Sequence, residues 1–250
     1  MKIHRAIVAT DANSEYYQFW PIVARRWASW GIIPTLAVVS DTKLDIDESL
    51  GDVIYHAPNP NVPTAQQAQV IRLFLAANFE DDVCLISDID MLPLNRDYFL
   101  DSVQYYDSSN FVVYSSDAYL SGDPAYPAYP MCYLASEGEN FKEIIDGNLE
   151  SFNEIIVSWI DEGFGWHTDE KVFYQKLQKW ESINHLTVTL RRGFNLSADP
   201  GAIRRIDRSW NSSYNKDMIQ QKYYVDYHMP RPYKEYKSVI EEIYKKTEEQ

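Results

Sequence analysis

Cysteine is scarce in this sequence, and long apolar runs are missing. Cys84 and Cys132 are the only cysteines among its 250 residues, and neither has the spacing of a metal-ligand set. Both fall in apolar runs, which favours small core residues in a reducing compartment over a disulfide framework. No apolar run approaches the roughly 18 residues of a membrane helix, and Asp11 interrupts the N-terminal run too early for a signal peptide. We therefore expect a soluble, cytoplasmic protein without a membrane span.

Positive charge is also in short supply. The 23 Lys and Arg residues face 37 Asp and Glu residues, which gives a formal net charge of −14. This balance opposes binding to nucleic acid or to an anionic membrane. An anionic ligand would therefore have to be attracted by local groups. Aromatic residues, in contrast, make up 14% of the chain, and Tyr and Trp offer flat apolar faces that suit sugar rings as well as protein partners.

Apolar and amphipathic segments alternate through the first hundred residues. The predicted strands cover residues 6–10, 35–41, 52–57 and 83–87, and the predicted helices cover residues 13–31 and 63–79. Nearly continuous apolar strands separated by helices are typical of a parallel sheet that is covered on both faces. We therefore predict an α/β fold with a mainly parallel central sheet flanked by helices.

The second half of the sequence is less regular. Its predicted strands cover residues 111–118, 131–136 and 185–192, and its predicted helices cover residues 139–147, 149–163, 167–180 and 233–250. The segment between residues 193 and 232 is expected to be mostly irregular. No repeat or linker divides the chain, so a single domain over residues 1–250 is expected.

Several residues are typical of helix starts. Asn13 is the expected N-cap of the first helix, and Pro21 should kink or divide that helix. Thr64 and Gln67 form a capping-box pattern at the start of the next one. Thr168 is the expected N-cap of the helix over residues 167–180.

Two aspartates follow the apolar run in the segment CLISDIDMLPLN, residues 84–95. Asp88 and Asp90 are two residues apart, so in extended backbone they point to the same face, about 7 Å apart. Ligands of open α/β sheets bind at the carboxyl ends of the strands. A hard divalent cation would offset the repulsion of the two carboxylates and could also bind phosphate oxygens. The alternative is an acidic turn that simply follows a strand.

This strand and its aspartates belong to a series of motifs. The helix containing AQVIRLFL precedes SDIDMLPL, and the segments WHTDE and HMPRP follow in that order. The series resembles nucleotide-sugar-dependent glycosyltransferases of the GT-A fold, and the resemblance covers roughly residues 5–232. It implies a nucleotide-binding half over about residues 1–100, an acceptor-binding half over about 101–232 and a C-terminal helix over 233–250.

The resemblance also implies a donor site with a Mn²⁺ or Mg²⁺ ion. Asp88 would contact the ribose or a metal-bound water, Asp90 would bind the metal, and His228 would bind the metal or the diphosphate. The other donor contacts that it implies are at Ala9, Thr10, Asp11, Arg72 and Arg231, with Arg204, Arg205 and Arg208 as further candidates for the diphosphate.

A catalytic base is implied by the segment GFGWHTDEKVF. Asp169 and Glu170 could take the proton of an acceptor hydroxyl in an inverting reaction, with Trp166 lining the sugar site. The alternative is that acidic residues merely favour the first turn of a helix, because the helix dipole stabilises them there. That same field would lower the basicity of a carboxylate, so a working base would need partial burial.

The sequence thus predicts an enzyme that transfers a sugar from a nucleoside diphosphate donor, most simply a UDP-sugar, to a hydroxyl of a glycan or small acceptor with inversion. One alternative is an aspartyl-phosphate phosphatase of the HAD-like type. That class normally has Thr or Val two residues after its second aspartate, where this chain has Leu92. The other alternative is a non-catalytic sugar- or nucleotide-binding protein on the same fold.

Overall fold

The computed structural model describes residues 1–116, 127–181, 183, 186–190, 204–208 and 214–248. The strands are β1 (Arg5–Asp11), β2 (Ile33–Val39), β3 (Asp52–His56), β4 (Val83–Ser87), β5 (Met91–Pro93), β6 (Phe111–Val113), β7 (Tyr133–Glu137), β8 (Thr187–Thr189), β9 (Arg205–Ile206) and β10 (Asp226–His228). The α-helices are α1 (Ser14–Tyr17), α2 (Trp20–Ser29), α3 (Thr64–Ala76), α4 (Arg96–Phe99), α5 (Gly138–Ile145), α6 (Phe152–Asp161), α7 (Thr168–Glu181), α8 (Lys216–Gln220) and α9 (Tyr233–Glu248).

Within these residues the central sheet has seven strands in the order β3-β2-β1-β4-β7-β6-β8. The strands β3, β2, β1 and β4 are mutually parallel, and β8 is parallel to β6. Only β7 runs antiparallel to its two neighbours, β4 and β6. The predicted α/β class with a mainly parallel central sheet is therefore confirmed.

Both faces of the sheet are buried, which explains the continuous apolar strands. In β1, Ala6 and Val8 pack with α2 and α9 on one face, whereas Ile7 packs with α3, α5, α6 and α7 on the other. Successive side chains of a strand point to opposite faces, so a strand covered on both sides needs an apolar residue at every position. None of the helices in the described part of the chain is long and apolar enough to cross a membrane.

The first helical segment is divided at the expected place. Asn13 caps α1 by accepting a hydrogen bond from the backbone N–H of Glu15, as predicted. Pro21 lies in the first turn of α2, where its missing N–H costs no helical hydrogen bond. The segment therefore forms two helices.

The capping box predicted at α3 is wrong. Pro63 occupies the N-cap position, and no side chain there accepts a hydrogen bond from the first turn of α3. The hydroxyl of Thr64 instead donates to Asp11 Oδ2 at 2.9 Å. The buried amide of Gln67 bonds to the backbone of Asn59 at 2.8 and 2.9 Å and donates to a further carbonyl at 2.7 Å. Both side chains therefore bond to groups outside the capping box, Thr64 to β1 and Gln67 to the loop before α3.

The strands of the second half are shorter than predicted. The segment 111–118 forms β6 over three residues, and positions 117 and 118 lie outside the described residues. The segment 185–192 forms β8 over Thr187–Thr189, and positions 185, 191 and 192 lie outside the described residues. The helices predicted over 139–147, 149–163, 167–180 and 233–250 correspond to α5, α6, α7 and α9.

A second, three-stranded sheet has the order β5-β10-β9. Its central strand β10 lies in the segment predicted to be mostly irregular, where the sequence did not indicate a strand. Strand β10 is antiparallel to β5 and parallel to β9. The small sheet therefore brings the segment after β4 together with two distant segments of the C-terminal region.

Candidate active site

A cleft of about 370 Å³ opens at the carboxyl ends of β1 and β4. These strands are parallel neighbours, so the residues that follow them meet at one edge of the sheet. The residues singled out in the sequence that line this cleft are Ala9, Thr10, Asp11, Arg72, Asp88, Asp90, Trp166, Asp169, Glu170, Arg205, Arg208, His228 and Arg231. Residues far apart in the chain thus share one cavity, as a common site requires.

The end of β1 is fixed by local hydrogen bonds. Asp11 accepts from the backbone N–H of Asn13 at 3.0 Å and from the hydroxyl of Thr64 at 2.9 Å. This carboxylate therefore joins β1 to the starts of α1 and α3. Ala65 and Ala68 line the same side of the cleft, and their small side chains leave space between α3 and the strand ends.

Arg72 lies inside the wall of the cleft and does not extend into solvent. Its side chain is 4% exposed and forms ion pairs with both Asp88 and Asp169, the latter at 3.4 Å. Its Nε donates to the carbonyl of Gln69 at 3.0 Å. Burial opposes the charge of Arg72, but the two carboxylates prevail and raise its pKa. Arg72 thus links the first aspartate of the Asp-x-Asp pair to the predicted base.

Asp169 is a buried carboxyl on the cleft wall. Burial raises its pKa to about 7, and the charge of Arg72 only partly opposes this effect. The burial that a carboxylate at a helix start would need to act as a base is therefore present at Asp169. Thr168 is also not an N-cap, because its hydroxyl donates to the carbonyl of Gly165 at 2.8 Å and a 3₁₀ turn over Gly165–His167 runs directly into α7.

Glu170 and Trp166 lie next to Asp169 at the mouth of the cleft. Glu170 Oε2 is 2.9 Å from His167 Nδ1, and its side chain is 16% exposed. Trp166 is 58% exposed although it lines the cleft. The residue before it is held by Gln66, whose amide donates to the carbonyl of Gly165 at 2.9 Å. The Trp166 ring is therefore an accessible apolar surface close to a buried carboxyl.

Asp90 and His228 face each other on the opposite side. His228 Nε2 is 3.4 Å from Asp90 Oδ2, and His228 Nδ1 is 3.4 Å from Asp207 Oδ2. Burial acts against the imidazolium, but the carboxylates of Asp207 and Asp90 raise the pKa of His228 to about 9. Arg208 approaches the same Asp90 oxygen at 3.7 Å. Asp207 is a residue that the sequence did not reveal as part of this arrangement.

The residues present could supply two ligands to a divalent cation, and the remaining ligands would have to come from elsewhere. No group of three or more His, Cys, Asp or Glu residues in the described ranges could hold a metal on its own. Asp88 is paired with Arg72, which leaves Asp90 and His228 as a carboxylate and an imidazole 3.4 Å apart. Two ligands of one ion at about 2.1 Å lie about 3 Å apart, and Mg²⁺ is commonly bound by one or two carboxylates together with substrate phosphates. An ion here would need such phosphates to complete its shell.

The arginines of the C-terminal region are placed differently from one another. Arg205 lines the cleft while Asp226, which is fully buried, binds it at 2.8 and 2.6 Å. Arg231 lies over the ring of Tyr16, 4.6 Å from its centroid. Arg204 does not line the cleft and lies over the ring of Tyr223. The cleft therefore collects cationic groups in a protein whose overall charge is strongly negative.

Comparisons with known proteins yield distant structural similarities only. No protein-family model matches the sequence, and no curated protein matches it. The chain is similar to the glycosyltransferase GlyE of Streptococcus pneumoniae, with 12% identity and a TM-score of 0.48 over 99% of this chain and 60% of GlyE. It is similar to the galactosyltransferase LgtC, with 10% identity and a TM-score of 0.45 over 91% of this chain and 87% of LgtC. For mouse xyloside xylosyltransferase 1 the identity is 13% and the TM-score 0.41, over 91% of this chain and 98% of that protein.

The chain thus spans about three fifths of the length of GlyE. Similarities this distant carry no inference about the reaction, so the activity has to be inferred from the residues of this chain.

Proposed function

We propose that this protein is a metal-dependent glycosyltransferase that moves a sugar from a nucleoside diphosphate donor, a UDP-sugar, to a hydroxyl of a glycan or small acceptor with inversion. The observation that supports this most is the composition of a single cleft. It combines the Asp90–His228 pair, several arginines and the buried Asp169 at the carboxyl edge of a parallel sheet. These are the groups needed at the two ends of a sugar transfer, namely an anionic leaving group and a hydroxyl nucleophile.

The donor end would lie between β1 and the small sheet. Asp90 and His228 would hold a Mn²⁺ or Mg²⁺ ion, which neutralises the diphosphate and stabilises charge on the leaving group when it is bound. Arg208 and Arg231 line the same cleft and would pair with phosphate oxygens, for which the planar guanidinium is well suited. Asp11, at the end of β1, would contact the nucleoside.

The acceptor end would lie beside α7. Asp169 would take the proton of the acceptor hydroxyl as its oxygen attacks the anomeric carbon from the face opposite the diphosphate. The new C–O bond forms while the old one breaks, and the electron pair leaves with the diphosphate. A base works best when its pKa lies near the working pH, and the pKa of Asp169 is raised to about 7. Trp166 would pack against the acceptor, since its ring is exposed at the cleft mouth.

The nucleotide is the first part of the proposal to test. UDP is proposed because transferases with the Asp-x-Asp motif, which this sequence resembles, most often use UDP donors. In the presence of Mn²⁺, UDP should raise the melting temperature more than GDP, ADP or CMP. At 100 times the Kd a ligand stabilises a folded protein by about 2.7 kcal/mol, which corresponds to about 5–10 °C for a chain of this size.

The control is the same titration with EDTA in place of Mn²⁺, where the shift should be much smaller. A larger shift with GDP would contradict the choice of uracil and leave the rest intact. A shift with free sugars alone would instead favour the non-catalytic sugar-binding alternative. Hydrolysis of UDP-sugars by the protein, measured as UDP release, would separate an enzyme from a binding protein.

The phosphatase alternative gains no support from the site. Its nucleophile would be the first carboxylate of the pair, but Asp88 is engaged by Arg72. Leu92, at the position where that class normally has Thr or Val, is fully buried.

A further inference from the structure

The small sheet fixes the relative positions of three segments that are far apart in sequence. Strand β10 pairs with β5 so that His228 lies opposite Met91, the residue after Asp90. On its other side β10 pairs with β9 so that Tyr227 lies opposite Ile206, the residue before Asp207. Asp90, His228 and Asp207 must therefore lie at the same end of this sheet.

Because of this register, the side chains of Asp90, His228 and Asp207 lie in a row. His228 lies between Asp90 and Asp207, with one ring nitrogen 3.4 Å from a carboxylate oxygen on each side. A backbone hydrogen bond also joins the segments that carry His228 and Asp90, because the N–H of Met229 donates to the carbonyl of Asp90 at 2.8 Å. His228 is about one fifth exposed, so its ring has few alternative orientations.

The two nitrogens of the imidazole face different surroundings. Nε2 points to Asp90, a carboxylate that lines the cleft, whereas Nδ1 points to Asp207, which does not line it. A metal-ligating histidine almost always donates its other ring N–H to a carboxylate, a carbonyl or a water, which fixes the tautomer and the ring orientation. Asp207 has the position of such a partner.

We infer that Asp207 is a positioning residue that holds the ring of His228 with Nε2 directed at the cleft, and so sets the affinity of the Asp90–His228 pair for a divalent cation. This inference rests on the metal dependence in the proposed function. Asp207 acts on the cation through His228, since Asp207 itself does not line the cleft. The small sheet is then the framework of the cation site, because its register places the ligand pair and the residue that orients it.

The experiment compares Asp207→Ala and Asp207→Asn with the wild type. Mn²⁺ is titrated into each protein at saturating UDP, and bound Mn²⁺ is measured by electron paramagnetic resonance. Loss of such a partner typically costs 10- to 100-fold in metal affinity, so the alanine variant should bind Mn²⁺ about that much more weakly. The asparagine variant should lie in between, because its amide oxygen still accepts from Nδ1–H but carries no charge.

Two further measurements separate positioning from a structural role. Nitrogen-15 NMR of the histidines in the Mg²⁺–UDP complex should show Nδ1 of His228 protonated in the wild type and the asparagine variant, and a changed ring signal in the alanine variant. Asp101→Asn is the matched control, because it also removes one partly exposed carboxylate that pairs with a cation, Arg96 at 3.0 Å, away from the cleft. It should leave Mn²⁺ affinity unchanged.

The outcomes are distinct. Wild-type Mn²⁺ affinity in Asp207→Ala would overturn the inference while leaving the proposed function intact. Equal losses in Asp207→Ala and Asp101→Asn would also overturn it, since charge alone would then explain the effect. If the wild type itself bound no Mn²⁺ with UDP, the metal dependence of the proposed function would fail, and this role of Asp207 with it.

Discussion

Asp169→Asn is expected to lower the rate of sugar transfer about 100- to 10,000-fold, which is the usual contribution of a general base. The amide has nearly the same shape as the carboxyl but cannot take a proton from the acceptor hydroxyl. UDP affinity should change little, because Asp169 pairs with Arg72, whereas the proposed cation ligands Asp90 and His228 pair with each other. The measurement is the transfer rate at saturating donor together with the Kd for UDP.

The pH dependence of transfer gives a second measure of the same role. Burial raises the pKa of Asp169 to about 7, against the opposing charge of Arg72. A base must be ionised to accept a proton, so the wild-type rate should rise as the pH increases through about 7 and level off above it. Asp169→Asn should lose this rise. A rate that falls over the same interval would contradict the assignment.

Glu170→Gln is the matched control on the same turn of α7. Its carboxylate lies 2.9 Å from His167 Nδ1 and is more exposed than that of Asp169. It should keep most of the activity. If Glu170→Gln lost transfer and Asp169→Asn did not, the two residues would exchange roles. Near-normal rates in both variants would mean that they only begin a helix, and a retained anomer in the product, determined by NMR, would exclude inversion.

The first half of the fold could be predicted from sequence because its signal is local. A strand such as β1 is buried on both faces, so Ile7 and Val8 are both apolar although they point in opposite directions. The same requirement holds at β2 and β4, where every residue after Ile33 is buried. The carboxyl edge of these strands then singles out Asp11 and Asp88, which both line the cleft.

The remaining parts of the site depend on contacts that no local pattern encodes. Strand β10 is the short polar segment Asp226–His228, and it is a strand only because β5 and β9 supply partners, with Tyr227 opposite Leu92 and Ile206, which are 135 and 21 residues away. Arg72 could be recognised as a site residue, but its burial between two carboxylates depends on how β4 and α7 pack against α3. Asp207 gave no signal, because a single acidic residue beside several arginines has no characteristic spacing.

Local sequence patterns were also insufficient to predict the helix caps near the cleft. Thr64 and Gln67 match a capping box in sequence, yet their side chains bind other groups, namely Asp11 in β1 and the preceding loop at Asn59. A hydroxyl or amide has few hydrogen-bonding positions, so a better tertiary partner removes it from the local motif. Helix start signals near a binding cleft are therefore weaker predictors than those elsewhere in this chain, such as Asn13.

Asp90→Asn is expected to abolish the Mn²⁺-dependent part of UDP binding. A neutral amide attracts a divalent cation much less than a carboxylate does, and without the cation nothing bound beside Asp90 offsets the repulsion between the diphosphate and the carboxylates of the cleft. The fold should remain intact, because the backbone carbonyl of Asp90 still accepts from Met229 N–H and only the side-chain charge is lost. Binding of UDP measured in EDTA should therefore be similar in the variant and the wild type.

The control for this prediction is Asp88→Asn. Asp88 is paired with Arg72 and is 38% exposed, whereas the side chain of Asp90 is 10% exposed and faces His228. The two carboxylates are two residues apart, but only Asp90 has an imidazole opposite it. Asp88→Asn should thus weaken UDP binding while leaving part of the Mn²⁺ dependence. His228→Ala should change UDP binding in the same direction as Asp90→Asn, with a smaller loss.

The measurement is isothermal titration of UDP with Mn²⁺ and with EDTA for each variant. Unchanged UDP affinity of Asp90→Asn in Mn²⁺ would remove Asp90 from the cation site, and a larger loss in Asp88→Asn would move the metal to the side of the cleft occupied by Arg72.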